Sequence, residues 1–187
     1  NKIILENISK AQFSISNWVN KPAAEYAKFL IKKYGEPDGV TDSMVIWNSN
    51  KISKFKNVYV KDEYIYHESP SPHYDYVYST LTIHVPQELM SSIASASESI
   101  IVDQLKDTVT ARCADILANA ITLGFVQKLV AGEVKPEDAK VEYERHIKEK
   151  IIPDWFDEFK PDTNKLNESK AKIKVTRRKL QQLIKTM

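Results

Sequence analysis

Residues 76–85 read Tyr-Val-Tyr-Ser-Thr-Leu-Thr-Ile-His-Val, and this stretch decides the fold class. Alternate positions fall into two sets, Val77, Ser79, Leu81, Ile83 and Val85 against Tyr76, Tyr78, Thr80, Thr82 and His84. Side chains of an extended chain point alternately to opposite faces, so the pattern predicts a strand with one face in a core and the other partly wet. Antiparallel sheets are the ones that leave a face to water.

Working outward, Ser69-Pro70-Ser71-Pro72 cannot be helix or central strand, because two prolines remove donors and hold the backbone extended. Before that loop, residues 44–47, 55–60 and 64–67 are short β-branched and aromatic runs parted by polar turns, which predicts a meander. Beyond the strand, Pro86 opens a short helix to residue 93, residues 100–102 form a strand, and residues 109–112 return it. Residues 22–34 are a helix with Asn20 as cap, apolar positions at helical spacing, and a stop at Gly35. A largely buried helix runs from 114 to 131, closed by Gly132, and a charged one starts at Lys135-Pro136 and ends at Pro153. Trp155, Phe156 and Phe159 are expected to pack that end onto the body, while the first fifteen residues show no clean period and receive no element. The fold class is α+β: an antiparallel sheet covered by the two helices, with residues 1–159 as one domain.

Charge sets the last 28 residues apart. Residues 160–187 hold nine basic residues against two acids, a net +7, and since the whole chain is +2 the other 159 residues carry −5. Leu166, Ile173, Leu180 and Met187 recur every seven residues, with Arg177 and Arg178 among the basic positions between them. The spacing predicts a basic amphipathic helix or arm whose narrow apolar stripe packs on its own domain or on another chain. It also admits phosphate contacts to nucleic acid, for which the tyrosines at 59, 64, 66, 74, 76 and 78 would be a stacking strip. Against that, those strands lie in the acidic part of the chain, and tyrosines on a half-wet sheet face suit a protein interface.

Several function classes are excluded by motif. The four glycines form neither GxGxxG nor GxxxxGK[ST], and GxSxG and HExxH are absent. No apolar stretch approaches the ~20 residues that span a bilayer. The single cysteine makes no internal disulfide, which favours an intracellular or virion setting for a soluble protein.

Two polar clusters remain. His67, Glu68, His73 and Asp75 flank the double-proline loop, and His67, His73 and Asp75 supply the two imidazoles and carboxylate of a facial metal site; hydrogen bonding to backbone is the plainer role for loop histidines. Arg112 and Cys113 stand where a strand hands over to the 114–131 helix, whose N-terminus would lower the thiol pKa; inert packing is the plainer role, with Asp115 as helix-start acid and Arg112 its ion-pair partner.

The stretches 18–47, 70–86 and 108–115 (TVTARCAD) resemble uncharacterised proteins of aquatic microbes and their viruses, a group to which no activity attaches. The resemblance implies a viral particle component. With no catalytic signature, the sequence reads as a non-enzymatic structural or interaction subunit, docking through Leu166, Ile173, Arg177, Arg178 and Leu180 onto a protein partner or a second copy. The alternatives are a small metal-dependent enzyme or ligand-binding protein using His67, His73 and Asp75, and nucleic-acid binding through the arm. No cofactor is specified.

Overall fold

The computed structural model describes residues 9–49 and 51–156, which belong to one compact unit ending at Phe156. Phe159 and the whole arm, including Leu166, Ile173, Arg177, Arg178 and Leu180, lie outside the described residues.

Six strands make one antiparallel sheet: β1 (Gly39–Val40), β2 (Met44–Asn48), β3 (Asn57–His67), β4 (His73–Thr82), β5 (Ile100–Asp103) and β6 (Thr108–Cys113). Their order across the sheet is β1-β2-β3-β4-β6-β5. The helices are α1 (Lys10–Ser16), α2 (Lys21–Tyr34), α3 (Met90–Ala96), α4 (Ile116–Val130) and α5 (Ala139–Glu149), with short 3-10 turns at Gln87–Leu89 and Pro136–Asp138 leading into α3 and α5. The α+β reading is therefore the fold of the described residues.

The predicted alternation carries the core. Val77, Ser79 and Leu81 of β4 pair with Cys113, Ala111 and Val109 of β6, and Val60 and Val58 of β3 pair with Val77 and Ser79, so this face forms one apolar layer. α2 and α4 both contact the sheet, and their Ala27, Leu30, Ile116, Leu123 and Phe125 join the same buried cluster. α4 is apolar nearly all round, as a helix wedged between the sheet and α5 must be. The Tyr26 hydroxyl accepts from Ile116 N at 2.9 Å, tying α2 to the first turn of α4.

Four boundaries differ from the sequence expectation. The runs at 55–60 and 64–67 are one strand, β3, interrupted by a bulge rather than a turn. β4 begins at His73 and ends at Thr82; Ile83 and Val85 leave the ladder yet stay buried, Ile83 N donating to the Asp107 carbonyl at 2.8 Å. α5 stops at Glu149, ahead of Pro153, because Lys150 takes a left-handed φ of 52° and turns the chain so that Ile151 N bonds the His146 carbonyl at 3.0 Å. The unassigned N-terminal stretch contains α1, held by a capping box in which Ser9 accepts from Gln12 N at 3.1 Å and Gln12 from Ser9 N at 3.2 Å. Trp155 and Phe156 pack against Phe55 with ring separations of 5.5 and 5.9 Å, as expected.

Candidate functional site

The inner face of β4 does not end at Val77. Counting back by twos from Val77 reaches Asp75 and His73, so the strand's earlier start turns what reads as loop polar residues into the continuation of the core face. Cys113, opposite Val77, borders them from β6.

His67 joins them because of the β3 bulge. Val60 pairs with Val77 and Ile65 with Asp75, so β3 advances five positions while β4 advances two. The difference is odd, and an odd slip reverses which side chains face the core. The side of β3 that carries the outward Tyr59 before the bulge carries His67 inward after it, directly opposite His73. Their rings lie 5.0 Å apart. The bulge is anchored from the start of α2: Asp62 accepts from the backbone N–H groups of Val19 and Asn20 at 3.0 and 2.6 Å, and the Asn20 side chain donates to the Glu63 carbonyl.

Asp75 is fully buried and stands at the centre. Its Oδ2 accepts from the Ser99 hydroxyl at 2.9 Å and lies 3.6 Å from Arg112 Nε and 3.6 Å from His67 Nδ1. Its Oδ1 is 3.0 Å from His73 Nε2 yet has no well-aligned hydrogen-bond donor among the described residues.

Donor counting assigns the histidine tautomers. Ser99 has one hydroxyl hydrogen and gives it to Asp75, so its oxygen accepts from His67 Nδ1–H at 2.9 Å. Burial lowers the His67 pKa, Asp75 opposing it, and the neutral ring is left with a lone pair on Nε2. The Ser71 carbonyl can only accept, so His73 Nδ1 carries the hydrogen that bonds it at 2.6 Å. His73 Nε2 lies 3.3 Å from the Cys113 thiol and 3.0 Å from Asp75 Oδ1, out of line for a hydrogen bond to the carboxylate.

The surroundings of Cys113 favour the plainer role, inert packing of a neutral thiol. Burial pushes the thiol up to about 12, and the charges of Asp75 and Asp115 push the same way, outweighing the backbone N–H groups at the α4 start. Asp115 does cap α4, accepting from Ala118 N at 2.8 Å. Arg112 does not pair with it: the guanidinium turns to Asp75 and donates to the Glu98 carbonyl at 3.4 Å. Ser99, from the turn before β5, has no sequence signal near the histidines and is brought in only by strand pairing.

Beside His67 opens a cleft of about 610 Å³, lined also by Glu68, Ser95, Ser97, Glu98 and Lys140. The tyrosine strip is divided: Tyr59 stacks on Tyr78 at 4.6 Å, Tyr76 turns to Tyr26, and Tyr64, Tyr66 and Tyr74 make an exposed trio with ring separations of 5.6 and 5.7 Å.

One nitrogen or oxygen from each of His67, His73 and Asp75 can be chosen so that all lie within 4.8 Å of one another. Ligands on one tetrahedral ion with bonds of about 2.0–2.2 Å are about 3.3–3.6 Å apart, so the widest pair has up to about 1.5 Å to close on binding. Two imidazoles and a carboxylate suit zinc and its neighbours rather than magnesium or calcium. No helix among the described residues is long and apolar enough to cross a membrane. Comparison with protein-family models, with curated proteins and with solved structures finds no match to this chain, so the viral resemblance adds nothing to the geometry of the site.

Proposed function

We propose that this domain binds a divalent transition-metal ion through His67, His73 and Asp75, as a small metal-dependent enzyme or ligand-binding protein with its ligand in the adjoining cleft. One observation carries the reading: a fully buried carboxylate oxygen, Asp75 Oδ1, has no aligned donor among the described residues although His73 Nε2 lies 3.0 Å away. A buried carboxylate oxygen left without a donor is costly unless a positive centre lies beside it. A metal ion meets that need, and His67 sits at the rim of the cleft through which ion and ligand would pass. The test is elemental analysis of the full chain after zinc loading and gel filtration. One ion per chain in the wild type, and none in His73→Ala, is the expected result; a metal-free wild type ends the proposal.

A second reading, the interaction subunit, is favoured by the exposed trio Tyr64, Tyr66 and Tyr74, at 52%, 58% and 48% exposure. Clustered tyrosines with wet edges are typical interface anchors. Light scattering of the full chain against a version ending at Phe159 decides whether the basic arm drives assembly; equal monomers end this reading. Affinity for single-stranded RNA that falls steeply with salt would favour the nucleic-acid alternative.

A further inference from the structure

The geometry points to Cys113 as a further ligand, sharing an ion with its neighbours His73 and Asp75; this rests on the metal-binding reading above. Cys113 is on the same sheet face as Asp75 and Val77, with Sγ 3.3 Å from His73 Nε2. On one tetrahedral ion, with Zn–N about 2.0 Å and Zn–S about 2.3 Å, a nitrogen and a sulfur ligand are about 3.5 Å apart, and a nitrogen and an oxygen about 3.3 Å apart. The observed 3.3 Å from Nε2 to Sγ and 3.0 Å from Nε2 to Asp75 Oδ1 are each a few tenths shorter, so the three atoms are already close enough to share one ion. The independent sign of a ligand here is Asp75 itself, a fully buried side chain whose Oδ1 has no donor among the described residues.

Charge points the same way. Two neutral imidazoles and one carboxylate undercompensate a divalent ion, and the Arg112 guanidinium 3.6 Å from Asp75 already claims part of that carboxylate. A thiolate supplies the missing negative charge. On binding, the Cys113 S–H bond breaks, its proton passes to solvent, and the sulfur donates its electron pair to the ion, with no change of oxidation state. Sulfur ligation makes the site select zinc, and cobalt as its spectroscopic substitute, over magnesium and calcium.

The test is a titration of the metal-free full chain with cobalt(II), read by absorption. The wild type should show a near-ultraviolet sulfur-to-cobalt charge-transfer band together with the visible bands of a tetrahedral ion. Cys113→Ser should bind cobalt without the near-ultraviolet band. Residues that merely support a ligand are worth about 10–100-fold in affinity, so loss of the ligand itself should weaken binding at least about tenfold. Visible bands in the wild type without the sulfur band overturn the role of Cys113 and leave the His67, His73 and Asp75 reading intact. No cobalt binding by the wild type overturns both. The wild-type band decides the matter even where the serine variant fails to fold.

Discussion

Replacing Asp75 by asparagine separates a vacant ligand set from a structural ion-pair cluster. In the metal-free variant the introduced amide keeps the bond from Ser99 through its oxygen and turns its NH₂ toward His73 Nε2, where the wild-type Oδ1 has no donor. That gain is one neutral hydrogen bond, about 0.5–1.5 kcal/mol. The loss is the attraction of Arg112, 3.6 Å away with a quarter of its side chain exposed, which is about 1 kcal/mol on the scale of partly exposed pairs. The two cancel to within about 1 kcal/mol, so urea unfolding in EDTA at pH 8 should barely distinguish variant from wild type. Zinc then separates them: at a hundredfold excess over Kd it stabilises the wild type by about 2.7 kcal/mol. At about 2–4 °C per kcal/mol for a chain of this size, that is a rise of roughly 5–11 °C in Tm, which Asp75→Asn should lack. A metal-free loss of about 3–5 kcal/mol would refute the reasoning, because it is the cost of breaking a buried ion pair and would mean that Asp75 is held by its neighbours' charge rather than left open for an ion.

Asn20→Ala should cost about 2–4 kcal/mol in urea denaturation, from the lost cap on Ala23 N and the stranded Glu63 carbonyl, and should weaken metal binding because it releases the bulge that turns His67 inward. Arg112→Gln should tighten zinc binding about tenfold in isothermal titration, since it removes a cation that competes for Asp75, with the gain set at the water-screened end of the Coulomb range. The Tyr78 phenol, buried and hydrogen-bonded to Glu63, has a pKa raised first by burial, so its contribution to stability is full below the ordinary tyrosine range and is lost as pH rises above about 10. Tyr78→Phe should therefore flatten the alkaline limb of stability against pH measured by urea unfolding; an unchanged slope would contradict the burial argument.

The elements that sequence makes legible are those whose signal is local. Asn20, Pro22 and Gly35 bracket α2 because caps and breakers act through their own backbone, and the structure keeps them in those roles. α1 is equally open to reading: Ser9-Lys10-Ala11-Gln12 is a capping box, and only the weak apolar period behind it hides the helix. The end of α5 is not legible, because Pro153 is a generic stop whereas the left-handed turn at Lys150 answers to packing: Pro153 carbons lie 3.0 Å from the position a Gly124 Cβ would take on α4.

The candidate site shows why its ligand types could be read and its geometry could not. His67, His73 and Asp75 stand out because two of the chain's four histidines and a carboxylate flank a double proline, and type alone suggests their chemistry. Whether they meet depends on the parity of two strands. An unbroken β3 in the register set by Val60 and Val77 would send His67 to the outer face with Tyr59, and no spacing in the sequence declares the bulge. The cause lies some forty residues upstream, where Val19 and Asn20 offer the N–H groups that hold Asp62. Arg112 shows the converse: Asp115 is the acid close to it in sequence, but the α4 cap occupies that carboxylate and strand pairing offers Asp75 instead. A site assembled by a register shift is thus invisible to motif reading while its parts remain visible, and the same shift makes Asn20, far from any ligand, the position where a single substitution should uncouple the histidines.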